Sequence, residues 1–261
     1  MRIAVAATAP FGADVLERLA ARHEVLALLT RPDRPAGRGR TLTPPAAKVT
    51  ADRLGIPVLQ PDRPTRELEL GAETVVVCAY GLLIPEGLLE RRLWLNVHPS
   101  LLPRWRGAAP VERALLAGDE ETGVTIHETV AELDAGPIAA QRSFPLTADD
   151  DAGTVYACSA ALAVELLDDA LPEPTFRQQE GEPTYAAKIG PEDRELDLTR
   201  PEESLNRIRA LSPHIGARGE LHGRRVTIWR ARLEGGALVP VEVQPEGKRR
   251  MSYDEFVRGL R

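Results

Sequence analysis

Two cysteines in 261 residues, Cys78 and Cys158, are too few and too far apart for a disulfide framework or a thiolate metal centre. They read as two buried thiols in a reducing compartment, and no metal is expected. No apolar run approaches the roughly 18 residues of a membrane span. The opening MRIAVAATAPFG has one positive charge and a short apolar stretch cut by Pro10 and Gly12, unlike a secretion signal. A cytoplasmic protein with no membrane partner is expected. There is no G-x-x-x-x-G-K-[ST], and the first apolar run leads into Thr8-Ala9-Pro10-Phe11-Gly12 rather than G-x-G-x-x-G. The usual ways of holding a nucleoside triphosphate or NAD are therefore excluded. Internal repeats and low-complexity tracts are absent too.

What is present suffices for a folded core: 43% of residues are hydrophobic and 28% charged. The formal net charge of -6 taken alone argues against a polyanionic partner. The charge is uneven, however. Residues 31–48 hold five Lys/Arg against one Asp, and residues 218–261 hold ten against six. Two basic segments thus sit on an acidic body.

Short apolar runs alternate with amphipathic stretches. Arg2–Ala7, Glu24–Leu29, Pro57–Leu59, Thr74–Ala79 and Leu93–His98 read as strands, and 12–21 and Pro45–Leu54 as helices. The unbroken β-branched run of 74–79 suits a strand covered on both faces. This β-α-β alternation predicts an α/β fold with a Rossmann-like, mostly parallel sheet. A helix is expected at 110–117, strands at 123–129 and 137–144, and a long helix capped by Asp150. The polar stretch 191–201 reads as a linker between residues 1–190 and a smaller, β-rich domain at 202–261. Thr199-x-x-Glu202 and Ser252-x-x-Glu255 are capping-box patterns opening two helices there.

The chemically informative stretch is Asn96-Val97-His98-Pro99-Ser100-Leu101-Leu102-Pro103. Strand alternation points Asn96 and His98 to the same side at a strand end, where ligands bind in open α/β sheets. Leu133-Asp134-Ala135-Gly136-Pro137 sets a carboxylate in a tight turn. Taken singly, an Asn-x-His is most often a hydrogen-bonded strand end and an Asp-x-Gly a turn.

Together with Arg31–Arg40 (RPDRPAGRGR), Val77–Pro85 (VCAYGLLIP), Leu95–Pro110 (LNVHPSLLPRWRGAAP) and Thr122–Ile126 (TGVTI), these motifs cover most of the chain. In order and spacing the sequence resembles the folate-dependent formyltransferases, in particular those whose acceptor is methionyl-tRNA. The resemblance implies a formyltransferase domain with catalytic Asn96, His98 and Asp134. It implies 10-formyltetrahydrofolate as formyl donor and initiator methionyl-tRNA as acceptor, in translation initiation, with the enzyme a monomer. The folate would lie along Cys78, Tyr80, Gly81, Leu82, Leu83, Ile84 and Pro85 and along Ser100, Leu101, Leu102 and Pro103. In this scheme Asn96 and a protonated His98 donate to the developing oxyanion, each such donor being worth about 2.7–4 kcal/mol. Asp134 would raise the His98 pKa and move the proton from the attacking amine to N10.

The Asn-x-His…Asp site fixes the reaction but not the acceptor, and an amino sugar nucleotide or other small amine is the alternative. By composition the 31–48 segment is equally a solvated basic loop; its resemblance to the loop that enters the acceptor arm in the tRNA enzymes is what implies tRNA. The segment reads as a structureless basic loop in which Arg34, Arg38, Arg40 and Lys48 would contact phosphates. The resemblance also implies an OB-like barrel at the C-terminus, but a barrel of five strands needs more than the two or three found there. An abbreviated barrel is expected, shortened between Leu233-Glu234-Gly235-Gly236 and Leu238.

Overall fold

The structure is a computed structural model describing residues 1–36 and 39–260. Its main element is a seven-stranded sheet. The strands run in the order Ile138–Pro145, Glu121–Glu128, Leu93–His98, Thr74–Cys78, Arg2–Ala7, Glu24–Leu29, Val58–Leu59. The last five pair in parallel, and Glu121–Glu128 adds antiparallel to Leu93–His98.

Two-residue alternation splits the apolar side chains of this sheet between two cores. Ile3, Val5, Ala7, Val76, Cys78, Leu95, Val97, Val124 and Ile126 face one side. There they pack against Val15, Leu16 and Leu19 of helix Pro10–Ala20 and against Ala163, Val164 and Leu167 of helix Ala152–Ala170. Ala4, Ala6, Leu29, Val75, Val77 and Trp94 face the other, where Leu70, Tyr80 and Leu88 cover them. Burying one such Leu contributes about 1.5–3 kcal/mol. Covering on both faces explains why these strands carry continuous apolar runs. Of the two thiols, Cys78 is buried as expected, but Cys158 is exposed.

By internal contacts the chain divides into two units. The first holds 1–106, 123–143 and 157–184, and the second holds 107–122, 144–156 and 185–261. In the second unit, Ala217–Leu221, Arg224–Glu234, Ala237–Pro245 and Met251–Ser252 form a four-stranded antiparallel sheet. Helix Pro201–Leu211 covers it through Ile208 and Leu211, joined by Phe256 of helix Tyr253–Arg258. The Glu234–Ala237 connection is the two-residue turn Gly235-Gly236, with φ of 57° and 80°. Such a turn matches the twist of antiparallel strands and asks for glycine at both positions.

Several local expectations are corrected. Segment 31–48 is not a structureless loop: Arg34–Ala36 and Thr41–Thr43 pair antiparallel, while the helix expected at Pro45–Leu54 is found at Ala46–Leu54. The long helix is capped by Asp151, whose carboxylate accepts from the Thr154 backbone N–H at 3.0 Å. Asp150 instead binds the Thr147 N–H and hydroxyl. At Thr199 no capping box forms, because Asp197 takes both the backbone N–H and the hydroxyl of Thr199. The Ser252–Glu255 box is complete. Residues 191–201 hold a single 3₁₀ turn, Glu192–Arg194, and a bridge from Glu195 to Arg218.

Candidate active site

The alternation that buries Trp94 carries Asn96 and His98 to the same side of strand Leu93–His98, at its C-terminal end. Strand Glu121–Glu128 pairs Asn96 with His127 and His98 with Thr125. Asp134 arrives from the connection between Glu121–Glu128 and Ile138–Pro145, in a left-handed conformation with φ 48°. Gly136 fixes that turn against the neighbouring strand, since a Cβ there would collide with the Glu128 carbonyl oxygen.

The expected trio therefore converges. Asn96 Nδ2 donates to Asp134 Oδ1 at 3.2 Å, and His98 Nδ1 lies 3.7 Å from Asp134 Oδ2. A fourth member, His127, was missed from the sequence. Its Nε2 accepts from Asn96 Nδ2 at 3.0 Å and stands 3.6 Å from Asp134 Oδ1. The tautomers follow from their partners. His98 Nε2 meets the Trp105 carbonyl at 2.8 Å, and His127 Nδ1 meets the Glu128 carbonyl at 2.8 Å. A carbonyl only accepts, so each of these nitrogens carries a proton. His98 Nδ1 is then the nitrogen free to gain or lose one.

Charge on His98 departs from expectation. His98 is 4% exposed, and burial pushes its pKa below the ordinary imidazole value, outweighing the opposite pull of Asp134 and of the Trp105 carbonyl. The resting imidazole is neutral near pH 7, not protonated. Both hydrogens of the Asn96 amide are also engaged, by His127 and Asp134.

The loop after the site is braced from below. Thr125 Oγ1 donates to the Ser100 carbonyl at 2.7 Å and accepts from the Leu102 N–H and from Gln141 Nε2. Gln141 also donates to the Leu102 carbonyl at 3.0 Å. Ser100 Oγ donates to the Arg104 carbonyl. Ser100 and Leu102 are buried, and the Leu102 N–H and carbonyl are taken within the protein, so this stretch offers a ligand only Leu101 and Pro103 as partly open side chains.

The other expected donor-binding residues separate in the same way. Cys78 is sealed in the core, with its thiol pKa pushed far up by burial. Tyr80 lies in the second core cluster, its phenol pKa raised to about 12 by burial and its carbonyl held by Thr8 Oγ1. Ile84 is buried. Gly81 is exposed, Leu82 and Pro85 are partly so, and Leu83 stands 84% exposed. In the basic segment, Arg34 and Arg40 are exposed. Lys48 is not a free cation: its Nζ lies 2.9 Å from both oxygens of Asp33. Hydrogen bonds from Gln60 and Lys48 hold that carboxyl below its usual range. Arg38 falls outside the described residues.

No group of His, Cys, Asp and Glu among the described residues is arranged to hold a metal ion, and no described helix is long and apolar enough to cross a membrane. An α/β sheet whose strand ends gather an amide, two imidazoles and a carboxylate defines a protein equipped for acid–base chemistry. A family model described as formyl transferase matches residues 1–171, and the chain belongs to that family. A methionyl-tRNA formyltransferase of Cereibacter sphaeroides is 40% identical over 294 aligned positions, covering 100% of this chain and 96% of the relative. The alignment is longer than this chain, so the relative carries extra residues within the matched span. A Listeria innocua protein of the same name is 39% identical, with 97% and 93% covered. Among solved structures, methionyl-tRNA formyltransferase from Clostridium thermocellum shares the fold, with a TM-score of 0.65 at 17% identity over 94% of this chain and 98% of that one. HypX from Aquifex aeolicus shares it with a TM-score of 0.68 at 19% identity, and this chain spans about half of HypX, 48%.

Proposed function

We propose that this protein transfers the formyl group of 10-formyltetrahydrofolate to the amino group of initiator methionyl-tRNA, with Asn96, His98 and Asp134 as its catalytic residues. The observation that carries the chemistry is the meeting of those three side chains from two separate segments. The acceptor is supported by the relatives near 40% identity, which are named methionyl-tRNA formyltransferases and match almost end to end.

The neutral amine attacks the formyl carbon, and negative charge develops on the formyl oxygen. Asn96 serves that oxygen by exchanging its longer bond, the one to Asp134, for the oxyanion; a donor of this kind is worth about 2.7–4 kcal/mol. The proton released by the attacking nitrogen goes to His98 Nδ1. The imidazolium so formed is stabilised by Asp134 on one side and the Trp105 carbonyl on the other. It then protonates N10 as the C–N10 bond breaks. Proton transfer of this kind contributes about 10²–10⁴-fold.

The pterin covers the exposed Leu83 with Gly81, Leu82 and Pro85 beside it, apolar surface suited to a flat ring. Residues 1–190 supply the catalytic domain and 191–201 the linker, while 202–261 form an OB-like sheet cut short at the Gly235-Gly236 turn. Arg34, Arg38 and Arg40 contact the RNA, while Lys48, held by Asp33, ties down the start of that segment instead of offering a phosphate contact. The test is formyl transfer from 10-formyltetrahydrofolate to methionyl-tRNA, with an amino sugar nucleotide as competing acceptor. Formylation of the sugar but not of the charged tRNA would replace the acceptor and keep the chemistry.

A further inference from the structure

Trp105 and Arg106 are adjacent in sequence and hold the two partners of the His98–Asp134 pair separately. The Trp105 carbonyl accepts from His98 Nε2. Arg106 is 8% exposed, and its Nε and a terminal nitrogen donate to Gln179 Oε1 at 3.1 and 2.8 Å. Its other terminal nitrogen reaches Glu132 at 3.1 Å. With its oxygen so occupied, Gln179 can turn only its amide nitrogen the other way. That nitrogen donates to the Asp134 carbonyl at 2.8 Å and to the Gly136 carbonyl at 2.9 Å. The left-handed turn carrying the carboxylate is thus gripped on both sides of Ala135. Trp105 and Arg106 are anchored in turn by Thr184, through its hydroxyl at 2.9 Å and its carbonyl at 2.8 Å.

We propose that Arg106 and Gln179 are positioning residues whose hydrogen bonds fix the Asp134 turn against His98, so that one dipeptide mount, Trp105-Arg106, sets the separation of imidazole and carboxylate. The inference rests on the catalytic reading of Asn96, His98 and Asp134. Its physical basis is that neither partner holds the other: 3.7 Å between His98 Nδ1 and Asp134 Oδ2 is too long for a direct hydrogen bond. Asn96 steadies the carboxylate with one hydrogen bond, and the position of the turn that carries it is imposed from outside the pair by Arg106 and Gln179. The residue types fit the task. A guanidinium fork binds one acceptor with two donors and leaves no rotational freedom, which a lysine ammonium would not do. A glutamine joins that fork to two carbonyls because it offers an acceptor at one end of a plane and donors at the other. A carboxylate in its place would keep Arg106 and repel both carbonyls.

The experiment compares Gln179→Ala, Gln179→Glu and Arg106→Lys with the unaltered protein and with Asp134→Asn. Two readouts are taken: kcat and KM for formyl transfer, and the titration of the His98 imidazole by NMR on histidine-labelled protein. A misplacement near 1 Å can cost about 10²-fold, so each positioning variant is expected to lose about 10- to 100-fold in kcat with KM for the folate donor within about threefold. The His98 pKa should fall further, because the attraction of Asp134 is weakened while the burial remains. Gln179→Glu is the decisive variant, since it retains the Arg106 partner and the side-chain volume but removes the donors. A Gln179→Glu protein with unchanged kcat and unchanged His98 titration overturns the proposal. If a positioning variant does not fold, His98 titration in the folded Arg106→Lys protein decides, and no shift there overturns it equally. Failure of the catalytic reading is seen separately, as Asp134→Asn retaining full activity.

Discussion

His98 Nδ1 faces Asp134 Oδ2 across 3.7 Å, close enough to feel its charge and too far to share a proton without movement. His98 therefore stays neutral at rest, because burial outweighs the carboxylate. The folded-state pKa lies below the unfolded value of about 6.5, so the unfolded chain binds more protons in the interval between them. Stability is full above about pH 6.5 and is lost as pH falls through the folded pKa. Replacing His98 with Gln should flatten this part of the profile. Denaturant midpoints at pH 5.5 and 7.5 for both proteins measure it; an equal acid loss in both would contradict the assignment.

Asp134→Asn keeps the shape of the side chain and removes its charge. A loss of at least about 10² in kcat is expected, with little change in KM for either substrate. Steady-state kinetics on protein of unchanged circular dichroism tests this. A loss confined to KM would move Asp134 from chemistry to binding.

Gly136 stands where a Cβ would meet the Glu128 carbonyl oxygen. Gly136→Ala must displace the turn and with it the Asp134 carboxylate. The expected result is a kcat lowered about 10-fold or more while the melting temperature drops only a few degrees. A proportionate fall in stability and no change in the kcat of the folded fraction would show that the turn tolerates the shift.

Much of this was legible in the sequence, and the misses have physical causes. Strand Leu93–His98 declared itself because Asn96 and His98 interrupt a continuous apolar run at two-residue spacing. His127 has the same signature, Thr125 and His127 alternating with Val124 and Ile126, but its role depends on the register of an antiparallel pairing with 93–98, which no local pattern encodes. The charge on His98 was misjudged for a similar reason: a neighbouring carboxylate can be inferred from motifs, whereas near-complete burial is a property of the packed molecule. Lys48 looked like a free cation because Asp33 is 15 residues away in sequence and touches it only after folding. The 34–36 and 41–43 strands are three residues each, too short for periodicity to show. Thr199 met the capping-box pattern, yet Asp197 lies nearer and captured its donors.

Gly235 and Gly236 both have positive φ, where a side chain costs roughly 1–2 kcal/mol per residue. Changing both to Ala should lower unfolding free energy by about 2–4 kcal/mol while leaving kcat for formyl transfer unaltered. Urea denaturation checks the value, and a neutral effect would mean the hairpin closes in another way.

Arg40 is exposed, whereas Lys48 is held by Asp33. Arg40→Ala should raise KM for methionyl-tRNA and reduce its salt slope by about 1, as expected for one lost phosphate contact. Lys48→Ala should have the smaller effect on that slope. The reverse order, read from KM at several salt concentrations, would place the RNA on the Lys48–Asp33 side.

Formyl transfer from 10-formyltetrahydrofolate, measured with methionyl-tRNA and with free methionine as acceptors, bears most directly on the account. The unaltered protein should formylate the charged tRNA with a kcat/KM at least about 10³ above that for the free amino acid, and Asp134→Asn should abolish most of it. Equal use of free methionine, or an unimpaired Asp134→Asn protein, would contradict it.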